Sequence, residues 1–192
     1  MIPDTARIRE EMMARRKALS PEERRVRSRE IQTRLFNLVR FRKSKVVQFY
    51  IDFSGEVETR EMIARAIEIG KEVVVPFLRN GNAELGLSRI RDIRTGICSN
   101  GLGFDEPEGS LIVPVPPERI ELWVTPGVAF DLSLNRIGFG KGYYDRLFAR
   151  SAGSYKIGLA YDFQLIEKLT PGPHDVKMNR IITELRNIAP AE

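Results

Sequence analysis

The sequence predicts an α/β fold in three layers, in which a largely parallel sheet lies between helices on both of its faces. From Lys45 onward, short apolar runs alternate with helical patterns, which is typical of parallel strands joined by crossover helices. Several runs are apolar almost throughout, such as residues 72–78 with three consecutive valines, as expected of a sheet that is covered on both faces. We therefore expect one domain, with a Rossmann-like body over residues 45–192 and a helical hairpin over residues 1–40.

The N-terminal hairpin is predicted from two apolar stripes at helical spacing and from a start signal between them. Ser20 can cap the second helix, Pro21 suits its first position, and Glu23 can reach back to the cap amide. We expect the hairpin to pack on the body of the protein. The two stripes are Ile8, Met12 and Leu19 in the first helix, and Ile31, Leu35 and Leu38 in the second.

The body is expected to contain six strands and two helices. Thr59 can cap a helix that runs through Ile69 and ends at Gly70, and a short helix is predicted over residues 142–150. The stretch 94–117 is rich in glycine, proline and acidic residues, so we predict surface loops there. The predicted strands are residues 46–51, 72–78, 85–90, 121–125, 156–161 and 181–185. Because ligands of such sheets bind at the carboxyl ends of the strands, the segments after residues 51, 78, 125 and 161 are the first candidates for a site.

The composition argues against several classes of protein. No stretch approaches the roughly 18 consecutive apolar residues of a membrane-spanning helix, and the first residues lack the apolar block of a secretory signal. The single cysteine, Cys98, can form neither an internal disulfide nor a cysteine cluster for a metal. A reducing compartment fits this usage best, so we expect a cytoplasmic protein without a membrane partner.

The positive charge is concentrated at the N-terminus. Residues 1–45 carry 14 basic and 6 acidic side chains, whereas the remaining 147 residues carry 17 basic and 20 acidic ones. Such a segment favours an anionic ligand nearby, which could be a phosphate chain, a polyglutamate tail or a nucleic acid. A solvated helical face explains the same charges, so charge alone leaves these alternatives open.

A glycine-rich loop is the most informative segment for function. Gly138, Gly140 and Gly142 alternate, with Lys141 between the last two and Arg136 just before. Missing side chains let backbone amides approach an anion, and the following helix adds the positive end of its dipole. The two cations suit a triphosphate. Three residues into the helix, Asp145 is placed to hold Mg²⁺ against those phosphates.

The spacing in this loop excludes two common nucleotide motifs. A dinucleotide fingerprint requires a third glycine where Tyr143 stands, and a Walker A loop requires Ser or Thr where Gly142 stands. A structural turn with an exposed lysine remains the alternative.

Four sequence blocks together resemble a known family. The segment RIGFGKGYYDR, preceded by TPGVAFD, resembles the signature of 5-formyltetrahydrofolate cyclo-ligases, also called 5,10-methenyltetrahydrofolate synthetases. The resemblance extends to SPEERRVRSREI near the start, to FSGEVET after the first predicted strand, and to IGLAYDFQLIEKL with PHDVKMNRIITE near the end. The order and spacing of these blocks are more specific than any single one.

The resemblance implies an enzyme that uses ATP as co-substrate and Mg²⁺ to convert 5-formyltetrahydrofolate into methenyltetrahydrofolate, releasing ADP and phosphate. The implied ATP-binding residues are Arg9, Arg136, Gly138, Phe139, Gly140, Lys141, Gly142, Tyr143 and Tyr144. The implied substrate-binding residues are Ile51, Glu56 and Tyr143, and the implied Mg²⁺ ligands are Asp145 and Asp175. Lys141, Arg136 and Tyr143 are the expected catalytic residues, with Lys141 as the electrostatic catalyst and Glu56 orienting the pterin. Of the two adjacent tyrosines, we expect one to touch ligand and the other to pack in the core.

Three positions depart from the family pattern. Thr5 stands where the family usually has a lysine, although Arg7 could supply the charge. Asn179 replaces an aspartate near Asp175, and Leu102 replaces a residue that is often aromatic. None of these departures lies in the glycine-rich loop.

Two other functions stay open at this point. One is a nucleic-acid-binding protein that uses the basic hairpin, although that segment lacks interleaved aromatic residues for stacking. The other is a folate- or nucleotide-binding module without turnover. We expect a monomeric enzyme of small molecules, with no nucleic acid as partner. His174, the only histidine, is expected to orient Asp175 or to pack against a turn rather than to act as a base.

Overall fold

The computed structural model describes residues 5–79, 84–101 and 103–190, which form five α-helices and twelve short strands. The helices are α1 (Thr5–Ala18), α2 (Pro21–Asn37), α3 (Val39–Lys43), α4 (Arg60–Glu68) and α5 (Tyr143–Ala149). The strands are β1 (Val46–Phe49), β2 (Glu72–Arg79), β3 (Glu84–Ile90), β4 (Ile97–Ser99), β5 (Asp105–Pro107), β6 (Leu122–Thr125), β7 (Ala129–Asp131), β8 (Arg136–Ile137), β9 (Tyr155–Leu159), β10 (Leu165–Ile166), β11 (Arg180–Ile182) and β12 (Asn187–Ile188). Leu102 lies outside the described residues.

Seven of the strands form one sheet in the order β12-β11-β9-β6-β1-β2-β3. Every pairing from β11 to β2 is parallel, and the two edge strands, β12 and β3, pair antiparallel with their neighbours. The prediction of a largely parallel sheet is therefore confirmed. All six predicted strands are present in this sheet, and each of their ends lies within three residues of the predicted one.

Helices cover both faces of this sheet, as predicted. Along β2, the side chains of Val73 and Val75 join a core with α2, α3 and α4, whereas Val74 joins the opposite core with α5. Trp123 of β6 is fully buried in that second core, where its ring meets Phe148 of α5 edge-on at 5.3 Å. This alternation explains why the central strands need apolar residues on both sides.

The two N-terminal helices pack on different parts of the body. The capping box at Ser20 forms as predicted, with Glu23 N–H donating to Ser20 Oγ and Glu23 accepting from the Ser20 amide. In α1, Ile8 and Met12 pack on a small three-stranded sheet of order β10-β7-β8, whereas α2 packs on the main sheet. Leu38 ends α2 instead of continuing its stripe, and the short helix α3 follows.

Thr59 and Gly70 flank α4, and one of the two behaves as predicted. Gly70 adopts a φ of +82°, and the amide after it donates to the Ala66 carbonyl, which closes the helix as a glycine terminator does. Thr59 precedes the helix but does not cap it with its side chain. Its hydroxyl donates instead to the Tyr50 carbonyl at 2.7 Å, so the predicted capping bond is wrong. β1 ends at Phe49, two residues before its predicted end.

The prediction of loops over residues 94–117 is wrong in part, because β4 and β5 form an antiparallel hairpin there. The Leu78 amide donates to Glu106 at 2.8 Å, and Arg60 of α4 forms an ion pair with Asp105, so the hairpin is fastened beside β2. The small sheet of β7, β8 and β10 and the edge strand β12 were also not predicted. Strands of two or three residues are too short to show a periodic pattern. Among the described residues, no helix is both long and apolar enough to cross a bilayer.

Candidate functional site

The candidate site lies where the chain leaves β1 and β6 and meets the glycine-rich loop, residues 138–142. Arg136, just before the loop, donates to the carbonyl of Pro126, the first residue after β6, at 3.4 Å. Phe139 within the loop packs on Phe53, which follows β1, with 5.5 Å between the ring centres. The carboxyl ends of β1 and β6 thus converge on the loop. Both are among the strand ends at which ligands of such sheets are expected to bind.

The backbone of the loop requires glycine at two positions. Gly140 and Gly142 have φ angles of +85° and +63°, in the left-handed region that a side chain disfavours. Gly142 immediately precedes α5, which has seven residues and therefore only a small dipole. The helix dipole therefore contributes less to phosphate binding than the sequence indicated. A phosphate site here would depend mainly on the amides and cations of the loop.

One cation from a distant part of the sequence contacts this loop, and a second cation belongs to the loop itself. Arg9 of α1 donates through Nε to the Gly138 carbonyl at 2.9 Å, and its guanidinium lies beside Gly140. Lys141 is exposed, and its ammonium forms no ion pair with the described residues. The structure thus places Arg9 against the loop that contains Lys141, and a ligand contact by either residue stays a prediction.

Arg136 is paired rather than free. Its Nη2 donates to both carboxylate oxygens of Asp145, at 3.1 and 3.2 Å, and only 6% of the Arg136 side chain is exposed. Asp145 also accepts a hydrogen bond from the Val176 amide at 3.2 Å. This buried pair joins β8 to the first turn of α5, so Arg136 supports the loop from the protein side.

The two predicted magnesium ligands occupy different environments. Asp145 is largely engaged by Arg136, while Asp175 is exposed and accepts from the Gly172 amide at 2.7 Å. No group of three or more metal-ligating side chains occurs among the described residues. Mg²⁺ at nucleotide sites is usually held by one or two carboxylates together with phosphates and water. The side chains present fit that mode of binding, and a closed protein cage is not formed by the described residues.

The adjacent residues Tyr143 and Tyr144 lie in different environments, and one of them packs on the core as expected. Tyr144 packs against Phe148 in the core, its hydroxyl accepts from Gln48 Nε2 at 3.3 Å, and burial raises its pKa. Tyr143 is half-buried, with the Arg146 guanidinium 5.3 Å from its ring centre. The core role of one tyrosine is confirmed, and the ligand contact of Tyr143 stays a prediction.

Two of the three predicted folate residues, Ile51 and Glu56, follow β1, and both are buried. Ile51 packs in the main core, with 5% of its surface exposed. Glu56 is also 5% exposed, and its carboxylate lies 3.7 Å from Nη2 of the fully buried Arg16. Burial raises the pKa of Glu56 to about 7, although Arg16 and the Phe53 amide act in the opposite direction. A carboxyl group that can change charge near neutral pH is typical of functional sites.

Comparison with known proteins decides the family. The sequence model described as the 5-formyltetrahydrofolate cyclo-ligase family matches residues 2–184. The chain belongs to the 5-formyltetrahydrofolate cyclo-ligase family. It is 30% identical to the 5-formyltetrahydrofolate cyclo-ligase of Escherichia coli K12 over 172 residues, covering 88% of this chain and 94% of that protein. A probable cyclo-ligase of Caenorhabditis elegans is 33% identical over 154 residues, covering 75% of each chain.

Solved structures of cyclo-ligases have the same fold. The NMR structure of Aquifex aeolicus 5,10-methenyltetrahydrofolate synthetase has a TM-score of 0.85 and 34% identity, covering 96% of this chain and 92% of that one. A 5,10-methenyltetrahydrofolate synthetase of Mycoplasma pneumoniae has a TM-score of 0.76 and 24% identity, covering 95% and 99%. The predicted α/β architecture is thereby confirmed.

Three aromatic rings, those of Phe53, Phe104 and Phe139, form a contiguous cluster at the candidate site. Phe53 contacts Phe139 of the loop, and on its other side it contacts Phe104, with 5.7 Å between the ring centres. Phe104 precedes β5, so the overlooked hairpin reaches the site. The sequence indicates the loss of an aromatic residue at Leu102, but no pattern along it predicts that Phe104 lies beside Phe53.

Arg16 was missed as well, although the sequence contains a signal for it. Ile8 and Met12 are four residues apart on the apolar stripe of α1, and Arg16 stands four residues further on, where another apolar residue is expected. A charged residue at such a position of an amphipathic helix either lies at the edge of the stripe, exposed to solvent, or is buried for a functional reason.

Two departures from the cyclo-ligase pattern have clear positions. Thr5 begins α1, and Asn179 accepts a hydrogen bond from the Lys156 amide at 2.8 Å through its side chain. The Asn179 amide in turn donates to the Lys156 carbonyl at 2.8 Å, so this residue links the starts of β9 and β11. His174 is exposed.

Proposed function

We propose that this cyclo-ligase converts 5-formyltetrahydrofolate into 5,10-methenyltetrahydrofolate with ATP and Mg²⁺, in the cytoplasm and as a monomer. The observation that carries the proposal is the contact between the glycine-rich loop and the turn over residues 53–56, which carries Glu56. Phe139 of the loop packs on Phe53 of the turn that presents Glu56, and its ring centre lies 6.0 Å from the Arg16 guanidinium. The glycine-rich loop, to which we assign the phosphates, therefore adjoins the buried carboxylate to which we assign a nitrogen-rich ring.

The chemistry requires activation of a poor leaving group. The oxygen of the 5-formyl amide attacks the γ-phosphorus of ATP, the bond from that phosphorus to the bridging oxygen breaks, and ADP leaves. The N10 lone pair then attacks the formyl carbon, N10 loses its proton, and the carbon–oxygen bond breaks with release of phosphate. Phosphoryl transfer of this kind depends on positioning and charge stabilisation rather than on a protein nucleophile.

The residues of the loop suit these tasks. Lys141, exposed at the loop, stabilises the charge on the transferred phosphoryl group, and Arg9 fixes the loop backbone through Gly138. Arg136 holds Asp145, and we assign Tyr143 to the boundary between nucleotide and folate. Asp145 and Asp175 would hold Mg²⁺, which neutralises charge on the phosphates when it is bound.

The basic helices do not favour nucleic acid as the ligand. Arg16 is buried, Arg9 contacts the glycine-rich loop, and Arg27 of α2 forms an ion pair with Glu184 at 2.9 Å. Part of the N-terminal positive charge is thus used within the protein.

One assay tests the proposal directly. The protein is mixed with MgATP and 5-formyltetrahydrofolate, and the absorbance of the methenyl product is followed, with ADP measured in parallel. We expect product and ADP in equal amounts, and neither without Mg²⁺. Binding of both ligands without product would refute the catalytic assignment, and salt-sensitive retention of RNA without turnover would favour nucleic-acid binding.

A further inference from the structure

Arg16 is buried in a way that stability alone does not explain. Of the charged residues in α1, which the structure describes throughout, only Arg16 is buried, with none of its surface exposed. Its Nε and Nη1 atoms donate to none of the described residues. A buried charge with unmet donors destabilises a fold, and an apolar residue in its place is often at least as stable. The side chain therefore serves the site it adjoins.

The remaining nitrogen of Arg16 holds a strained turn. Nη2 donates to the Ser54 carbonyl at 2.7 Å and to the Phe53 carbonyl at 3.4 Å. Ser54 and Gly55 have φ angles of +51° and +75°, and the Glu56 amide closes the turn on the Phe53 carbonyl at 3.1 Å. Two consecutive positive φ angles are the pattern of a type I′ turn, which serine disfavours. The hydrogen bonds from the buried Arg16 to the Phe53 and Ser54 carbonyls stabilise the turn against this strain.

The same nitrogen lies beside the Glu56 carboxylate. The distance from Nη2 to Oε1 is 3.7 Å, which is an ion pair without a hydrogen bond, while Oε2 accepts from the Phe53 amide at 3.4 Å. Among the described groups, Arg16 is the only cation that lowers the pKa of Glu56. The other titratable groups that act on Glu56, or on which it acts, are Asp52, Tyr50 and Tyr144, and the Tyr161 hydroxyl donates to the Glu56 carbonyl. Because each of these becomes negative when it ionises, none can replace Arg16.

We propose that Arg16 is a positioning residue for the folate side of the site: it fixes the turn over residues 53–56 and holds the Glu56 carboxylate where it can receive the N–H donors of a pterin ring. The inference rests on the proposed function, since it requires a substrate with such donors. It assigns Arg16 no contact with the substrate, which agrees with its complete burial. Among the described residues, Arg16 touches the glycine-rich loop only through the Phe139 ring, whose centre lies 6.0 Å from its guanidinium, so its hydrogen bonds all act on the folate side.

The test compares Arg16→Met with Arg15→Met, which removes the same charge from the same helix. Arg15 is half-exposed and lies over the Phe163 ring, away from Glu56. For Arg16→Met we expect the KM for 5-formyltetrahydrofolate to rise about tenfold, as for loss of one charge-assisted contact, while the KM for ATP stays unchanged. We also expect the pH at which folate kcat/KM is half-maximal to rise by about one unit. Arg15→Met should change neither quantity.

The outcomes separate this inference from the proposed function. No turnover by the unsubstituted protein refutes the function before any variant is compared. An active protein whose Arg16→Met variant keeps the original folate KM and pH profile refutes the role of Arg16 alone. If that variant fails to fold, the test uses Arg16→Lys instead. Lysine keeps the positive charge but lacks the planar guanidinium that can donate in several fixed directions. We expect Arg16→Lys to retain the pH profile with a raised folate KM, and an unchanged KM would overturn the inference.

Discussion

Lys141→Ala is the sharpest test of the glycine-rich loop, because it separates catalysis from folding. The side chain is exposed and forms no ion pair with the described residues, so its removal should change the free energy of unfolding by less than about 0.5 kcal/mol. An ammonium about 4 Å from a phosphate oxygen contributes roughly 4 kcal/mol at the effective dielectric near a protein surface. Loss of one such donor from a transition state typically lowers kcat by about 10²- to 10³-fold.

We therefore expect Lys141→Ala to lose about two to three orders of magnitude in turnover, with an unfolding curve that superimposes on that of the original protein. The assay is the rate of methenyl formation at saturating MgATP, with urea unfolding measured on the same preparation. Lys168→Ala removes an exposed lysine outside the loop and should leave both measurements unchanged. Lys141→Arg keeps the charge and should recover part of the rate. A Lys141→Ala enzyme with the original turnover would show that the loop has a structural role only.

Three further predictions concern the same site. Gly140→Ala places a side chain at a φ of +85°, so we expect the free energy of unfolding, measured by thermal unfolding, to fall by about 1–2 kcal/mol and the KM for ATP to rise. A variant as stable as the original would contradict the backbone argument. Asp145→Asn leaves the buried Arg136 without its carboxylate, so we expect the free energy of unfolding to fall by roughly 3 kcal/mol. We also expect half-maximal activity to require a higher Mg²⁺ concentration, and an unchanged Mg²⁺ dependence would refute the ligand assignment. For Glu56, the folded pKa of about 7 lies above the ordinary 4.5, so its contribution to stability is complete below pH 4.5 and is lost as the pH rises to 7. Urea unfolding between those pH values should show this decline in the original protein and not in Glu56→Gln; equal pH slopes would contradict it.

The sequence predicted the sheet well because long apolar strands and capped helices leave local patterns. The valines at 73–75 and the box at Ser20 and Glu23 each report a structure that depends mainly on neighbouring residues. The hairpin of β4 and β5 left no such pattern, because three-residue strands are stabilised by partners elsewhere, such as Arg60 and the Leu78 amide.

The candidate site was predicted unevenly for the same reason. The glycines at 140 and 142 are needed by the local backbone, so the loop could be found by inspection. Whether Arg136 is free or paired depends on where Asp145 stands in space, and the burial of Arg16 depends on the turn at Ser54. Contacts between such distant positions are set by the tertiary fold, which spacing along the chain does not encode.

The bond from Arg9 to the Gly138 carbonyl spans 129 residues of sequence, and this bears on how the enzyme is made. During synthesis the first helix leaves the ribosome early, but its partner follows only after roughly ten seconds at ordinary elongation rates. Until then the apolar stripe of that helix has no small sheet on which to pack, since β7 and β8 are also still to come. A growing chain therefore carries this basic helix without its partners until β7, β8 and Gly138 have been made, and the candidate site forms only after that point.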